Sequence, residues 1–318
     1  MTLDVVMLLS GLVILAFAAD RFVVAAARLS RLWGVSPVLV GALIVGMGTS
    51  APELLVSILA ALEGDANLAI GNAVGSNVSN VTLVIGVTAL VAPLTGSARV
   101  LKREGIAMLL AVVVLTVLLY DLTLTRTEGL GLLAGMLVAA VLIVRWAHQD
   151  ADMGVASLEQ DEPEEINRGK EAGLGILSLL ATLAGAELLV KGGSSLASAM
   201  GVGSAFIGMT VVAVGTSLPE LATSIAGVRR HEDDLVVGNV LGSNLFNALA
   251  VAGAAAAISP GVIEARFRAG AIAMVVCAAL AGWFAFTGRK VVRWEGMLLL
   301  IGFIGFVLIS YTGGSDLR

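Results

Sequence analysis

Apolar residues fill this chain in long unbroken runs, and the breaks between the runs are short and charged. A run crosses a hydrocarbon core about 30 Å thick when it holds roughly 20 residues rising about 1.5 Å each. Runs long enough to do so occupy residues 5–27, 37–62, 68–91, 105–122, 129–146, 173–200, 205–228, 235–258, 269–286 and 294–311, ten in all. Within hydrocarbon every backbone N–H and C=O has to be paired inside the segment, which a helix does by itself. The pattern therefore predicts an all-α membrane protein with ten transmembrane helices.

Composition narrows this further. The 318 residues are 58% hydrophobic and only 14% charged, with a mean hydropathy of +0.98. Such a chain cannot present a water-soluble surface, and nothing is left over for a sizeable soluble domain or a nucleic-acid interface. The string AFAAD at residues 16–20 imitates a signal-peptide cleavage site, but Asp4 precedes it and no Lys or Arg does. The first run is read as mature helix.

Loops on the cytoplasmic side retain Lys and Arg. Breaks on one side carry Arg28, Arg31, Arg99, Lys102, Arg103, Arg145, Arg168, Lys170, Arg229, Arg230, Arg289, Lys290 and Arg293, against Arg126, Arg266, Arg268 and Arg318 on the other. Thirteen against four puts both termini outside a cell membrane. The net charge of −5 owes much to one polar stretch, HQDADMGVASLEQDEPEEINRGKE at 148–171. It is expected to be a solvated acidic cytoplasmic linker, since like charges in a run repel; a regulatory cation site in DEPEE is the alternative.

The two sides of that linker are copies. At the single offset 216 − 49 = 167, Asp20 meets Glu187, Gly34 meets Gly201, Glu53 meets Glu220 and Pro93 meets Pro260, with about one position in three identical between those limits. Residues 1–147 and 172–318 then form two five-helix repeats. An odd number of spans makes the second copy enter from the opposite face, the inverted-topology arrangement of many secondary transporters, whose substrate site lies near the midplane where the copies meet.

Both copies place the same chemistry at that depth. In GMGTSAPELLVS (46–57) and AVGTSLPELATS (213–224), Pro52 and Pro219 have no N–H to donate, and their rings would collide with the carbonyls of Gly48 and Gly215, so each helix should break there. The break is expected to bare the carbonyls of Gly46, Met47 and Gly48, and of Ala213, Val214 and Gly215. Glu53 falls one turn past Thr49, and Glu220 one turn past Thr216. The following spans add GNAVGSNVSN (71–80) and GNVLGSNLFN (238–247), with Asn72, Ser76 and Asn80 on one face and Asn239, Ser243 and Asn247 on another.

Carboxylates, hydroxyls, amides and bare carbonyls are oxygen donors suited to Ca²⁺ or Na⁺, and the absence of nearby His or Cys argues against zinc, copper or iron. Two glutamates carry −2, which matches one Ca²⁺, with H⁺ as a competitor. The plainer alternatives are a capping box, in which Ser50 and Ser217 pair with Glu53 and Glu220, and small-residue helix packing by the glycines. Asp20 is left between a functional and a structural part. Glu187 and Lys191, one turn apart, are placed to neutralise each other. Asn77 and Asn80 match a glycosylation sequon at a depth where none is used, and the lone Cys277 reads as a small core residue.

The paired GTSAPE and GTSLPE, each followed by GSN, resemble the two alpha-repeats of the sodium/calcium exchanger branch of the cation/Ca²⁺ exchanger superfamily, over nearly the whole chain. The resemblance places the motifs at 46–80 and 213–247. It implies ten helices in a 5+5 inverted arrangement, a midplane site shared by Ca²⁺ and Na⁺, and first and sixth helices that slide to alternate access. Carried over, Glu53, Glu220, Thr49 and Thr216 would hold Ca²⁺. Ser76, Ser243 and the backbone of Gly46 and Ala213 would join flanking Na⁺ sites, and Ser50, Ser217, Asn80 and Asn247 would line the middle. Asn247 is a departure, since some members have aspartate there. Proton-coupled members typically set the glutamate in GN-x-x-E, which is absent here.

The resulting expectation is a monomeric Na⁺/Ca²⁺ antiporter without a cofactor, with H⁺/Ca²⁺ antiport on the same fold as the alternative and a cation channel as a further one. Moving a divalent cation outward against 100 mV costs about 4.6 kcal/mol, so a driving ion is needed. NRGKEAG at 167–173 lacks the upstream glycine and the Ser/Thr of a P-loop. No enzyme signature stands out.

Overall fold

A computed structural model describes residues 2–152, 167–199 and 213–312, and these are almost wholly helical. In chain order the helices are α1 (Thr2–Trp33), α2 (Pro37–Thr49), α3 (Ala51–Leu62), α4 (Ala66–Val91), α5 (98–118), α6 (Arg126–Asp152), α7 (Arg168–Ala199), α8 (Ala213–Thr216), α9 (Leu218–Arg229), α10 (Asp233–Ile258), α11 (Arg266–Gly288) and α12 (Arg293–Thr312). Four two-residue strands lie between helices: β1 (Leu94–Thr95), β2 (Thr123–Leu124), β3 (Gly261–Val262) and β4 (Lys290–Val291). Among the described residues, six helices are long and apolar enough to cross a membrane, and α2 with α3 forms a seventh, bent by 44°.

Each expected run is mainly helix where it is described, with turns at Ser50 and Ser217 and a fourth run whose helix stops at Leu118 instead of 122, and several helices outlast their apolar stretch. α6 continues to Asp152 and α7 begins at Arg168. The ends of the 148–171 stretch are therefore helix rather than linker, and residues 153–166 lie outside the described part. So does 205–212, the start of the seventh run. Glu171, assigned from sequence to the solvated linker, is instead buried on α7, with Arg21 of α1 at 2.7 Å and Arg28 at 3.6 Å. A carboxylate leaves water only with a partner, and two arginines one helix away supply it.

Polarity and burial are distributed in opposition to the usual soluble pattern. The apolar part of α10 is entirely buried and that of α4 about two-thirds buried, whereas α1 and α7 are roughly a quarter buried. Lipid never touches α10, so this span tolerates Asn239, Ser243, Asn244 and Asn247. The bare helices α1 and α7 pack on each other through glycines: a Cβ on Gly11 would lie 2.6 Å from the backbone of Leu189, and one on Gly185 2.7 Å from that of Leu15.

Contacts between the two copies repeat at the offset of 167. Leu94 and Thr95 pair with Val291 and Lys290, and the same shift carries this ladder onto the second, Gly261 and Val262 with Leu124 and Thr123. Gly86 of α4 meets Gly296 of α12 so closely that a Cβ would sit 2.9 Å from the facing carbonyl, and the shifted pair, Gly253 of α10 and Gly129 of α6, does likewise at 3.0 Å.

Candidate functional site

The chain bends where the prolines require it. Pro52 and Pro219 occupy the first turn of α3 and α9, the helix position that tolerates a missing N–H. The residues before these helices, Ser50 (φ −84°, ψ 9°) and Ser217 (φ −88°, ψ 4°), leave helical geometry and cap no N–H with their side chains. The capping-box reading thus fails for both serines. The two glutamates sit in the first turn of the restarted helices, where the helix dipole favours a carboxylate.

Glu53 and Glu220 are both wholly buried. They are brought together across the copies: Glu220 is within electrostatic reach of Glu53, and the Thr216 side chain stands beside the Glu53 carboxylate. The Ser50 hydroxyl donates to Glu220 Oε1 at 2.8 Å, a bond from one copy to the other. Its offset partner, the Ser217 hydroxyl, has no acceptor and is equally buried.

Asn80 is the first residue and Asn247 the second of two π-helical segments, residues 80–84 in α4 and 246–251 in α10. The first segment packs against α9 and the second against α3, so each amide lies on the helix next to the other copy's glutamate. Such one-turn π segments loosen the backbone ladder and recur at functional sites. All polar side-chain atoms of Asn80 and Asn247, both oxygens of Glu53 and Oε2 of Glu220 are buried without a hydrogen-bond partner. Buried polar atoms are ordinarily paired, which makes this cluster the candidate site. Three carboxylate oxygens with amide and hydroxyl oxygens around them are the donor types that hard cations prefer. No group of three or more His, Cys, Asp and Glu assembles among the described residues, which leaves neutral oxygens to complete any shell around the two glutamates.

The flanks are partly assembled. The Gly46 carbonyl, expected to be bare, accepts the Ser50 N–H at 3.0 Å and the Ser243 hydroxyl at 3.2 Å. Thr49 is buried and donates to the Val45 carbonyl at 2.9 Å and to Asn239 Oδ1 at 3.4 Å. Ser76 is buried one turn before Asn80; Ala213 is the first described residue of α8.

Two residues assigned to the polar stripes turn out to position helices. Asn72 donates to the Glu53 carbonyl and to Ser57 Oγ, both at 2.9 Å, and so ties α4 to the glutamate-bearing α3. Asn239 donates to Thr223 and Ser224 of α9 at 3.3 and 3.4 Å. Thr223 escaped the sequence reading because its counterpart at the offset is Val56, so no repeat marks it.

Outside the centre, Glu187 and Lys191 do form their ion pair at 2.9 Å, exposed on α7. Asp20 of α1 reaches the Arg230 guanidinium at the end of α9 with both oxygens, at 2.6 and 2.5 Å. Arg31 of α1 meets Glu232 at 2.7 Å. Cys277 is buried, as expected of a small core residue.

The comparisons follow the same internal repeat. A family model described as sodium/calcium exchanger protein matches twice, over residues 3–145 and 170–312, again 167 apart. The chain is 40% identical to CaxA of Alkalimonas amylolytica over 319 residues, covering 98% of this chain and 100% of that protein. It is 29% identical to the sodium/calcium exchanger MaX1 of Methanosarcina acetivorans, covering 98% and 99%. The solved structure of the sodium-calcium exchanger NCX_Mj soaked with Na⁺ and Sr²⁺ superposes with a TM-score of 0.82 at 30% identity, covering 100% of this chain and 99% of that one.

Proposed function

From the premise that the chain belongs to the sodium/calcium exchanger protein family, as a multi-pass membrane cation/Ca²⁺ antiporter, we propose that it exchanges Na⁺ for Ca²⁺ at one site between its two halves. Glu53 and Glu220 neutralise Ca²⁺, with Thr49 and Thr216 beside them. Ser76, Ser243 and the backbone of Gly46 and Ala213 serve flanking Na⁺ positions, and Ser50, Ser217, Asn80 and Asn247 line the middle. Residues 1–147 and 172–318 are two inverted five-helix repeats, ten spans in all, with both termini outside and the acidic stretch inside. The protein works as a monomer.

The observation that carries this reading is the pair of wholly buried glutamates, one from each copy, joined through Ser50 and left with three unpaired oxygens. The matched strand ladders and glycine contacts support the inverted repeat, because each contact and its offset image exchange the roles of the halves. Peripheral α1 and α7, packed on each other and little buried, suit a pair that slides over a fixed core to open each face in turn.

The test is ⁴⁵Ca²⁺ uptake into vesicles holding the purified protein, loaded with Na⁺ or with choline, with and without a proton gradient. Uptake driven by internal Na⁺ alone is expected, and uptake driven only by the proton gradient would replace Na⁺ by H⁺ as the coupled ion. Glu53→Gln or Glu220→Gln keeps shape, removes one charge, and should abolish exchange while the protein still inserts. Wild-type rates in either variant would remove the carboxylates from the site.

A further inference from the structure

A cavity of about 300 Å³ lies behind the ion site, between α4, α5, α10 and α11. Its walls are apolar: Val81 and Ile85 of α4, Leu101 of α5, Val240 of α10, Gly282 and Phe286 of α11. That volume is at the small end of the roughly 300–1,000 Å³ of ligand pockets. Ile106, Trp283 and Phe286 are exposed at its edge, half or more of each side chain being accessible. The cavity therefore opens sideways, toward lipid.

The internal repeat shows that this space is not a necessity of the fold. At the offset of 167, Gly282 corresponds to Leu115, Ala285 to Leu118, Phe286 to Leu119 and Gly105 to Ile272. Leu115 and Leu119 are wholly buried, so the first copy fills with leucine the volume the second leaves open beside Gly282 and Ala285. The rim differs in the same sense. Lys102, Arg289 and Lys290 stand where the other copy has Ala269, Leu122 and Thr123, while that copy keeps one cation, Arg268, over Tyr120. The Lys102 ammonium lies 5.9 Å from the centre of the Phe286 ring. The Arg289 carbonyl is bonded to the N–H of the lining residue Gly96, and Lys290 precedes the lining residue Val291. The nearby carboxylate of Asp233 accepts the Thr95 N–H at 3.1 Å.

An apolar slot open to lipid, with the Lys102 ammonium at its edge and Arg289 and Lys290 beside lining residues in the chain, matches one occupant by charge and polarity. We propose that it is a binding site for an anionic phospholipid, with an acyl chain against Gly282 and Ala285 and the headgroup phosphate on Lys102, Arg289 and Lys290. Long apolar chains enter such slots by area burial, and basic side chains at the membrane surface select anionic headgroups. Val81 directly follows Asn80, and Val240 directly follows Asn239, so the bound chain would brace the adjoining faces, about 100° round, of two helices that carry site residues.

The experiment is native mass spectrometry of the full chain in detergent, titrated with phosphatidylglycerol or phosphatidylcholine of equal chain length. The wild type should retain one phosphatidylglycerol about tenfold or more in preference to phosphatidylcholine, the scale set by several basic side chains acting on one headgroup. Gly282→Leu, which copies the filled arrangement of the other half, should lower phosphatidylglycerol retention at least tenfold. Lys102→Gln with Lys290→Gln should reduce the preference to near parity while leaving phosphatidylcholine retention unchanged. Equal retention of both lipids by the wild type, or unchanged retention in Gly282→Leu, overturns the proposal. Should Gly282→Leu fail to insert, the charge variant decides alone, since both lysines are exposed, and an unchanged preference there overturns the headgroup assignment and with it the site.

Discussion

Ser50→Ala removes the hydrogen bond by which one half reaches the other half's glutamate at the candidate site. The hydroxyl holds Glu220 Oε1 at 2.8 Å in a wholly buried setting, while Oε2 is left without a partner. One oxygen is thus oriented and the other presented. A hydrogen bond to a charged group contributes about 1.5–3 kcal/mol, and each 1.4 kcal/mol is about tenfold in an equilibrium constant. If Ca²⁺ binds through the presented oxygen, Ser50→Ala should raise the half-saturating Ca²⁺ concentration about 10- to 100-fold. Ser217→Ala removes a hydroxyl that has no acceptor and should cost less than Ser50→Ala by at least several-fold. Initial ⁴⁵Ca²⁺ uptake into Na⁺-loaded vesicles, measured against external Ca²⁺, gives both numbers. Equal penalties for the two serines would refute the reasoning. So would tighter Ca²⁺ binding in Ser50→Ala, which would mean that the hydroxyl competes with the ion rather than orienting its ligand.

Gly242→Ala places a Cβ 2.2 Å from the Ala42 carbonyl and should cost about 1–3 kcal/mol by overpacking. Gly131→Ala on exposed α6, where no atom lies within 4 Å, should be neutral or slightly stabilising; thermal unfolding in detergent separates them, and equal midpoints would discount the close approach of α2 and α10. The Asp20 and Arg230 side chains are each about 40% exposed, so their pair is worth at most about 1 kcal/mol. Asp20→Asn should alter the maximal exchange rate no more than about fivefold, with unchanged half-saturation, and Asp20→Arg with Arg230→Asp should restore the wild-type rate. A shift in half-saturation instead would place Asp20 in the ion site. For orientation, a cysteine at Gln160 with Cys277 replaced should resist an impermeant thiol reagent in intact cells; rapid labelling from outside would reverse the charge-based topology.

The proline breaks and the two glutamates that the fold buries together were legible in the sequence because their determinants are local and duplicated. A proline that must break a helix, a glutamate one residue later and an offset of 167 are readable without coordinates. What escaped has a physical reason in each instance. The π segments at Asn80 and Asn247 leave no composition mark, since one extra residue per turn is set by what the backbone packs against. The Gly46 carbonyl was expected bare because the sequence counts the hydrogen bonds a proline removes and not the hydroxyl of Ser243 that arrives from another helix. Glu171 read as linker because charge runs resemble solvated segments, whereas its burial depends on Arg21 and Arg28 of a helix some 150 residues earlier. The unequal use of Ser50 and Ser217 is invisible in a motif that reads the same in both copies.

The strand ladders impose an order on biosynthesis. Thr95 cannot meet Lys290 until 290 − 95 = 195 further residues have been made, which at about 5–20 residues per second takes roughly 10–40 s. Once α6 is made and until the second half follows, the first half sits in the membrane with β1 and β2 unpaired and the faces of Gly86 and Gly129 uncovered. A ribosome that stalls after α6 therefore leaves an inserted bundle with open backbone edges and one of the two buried glutamates, a product marked for disposal by what it still lacks.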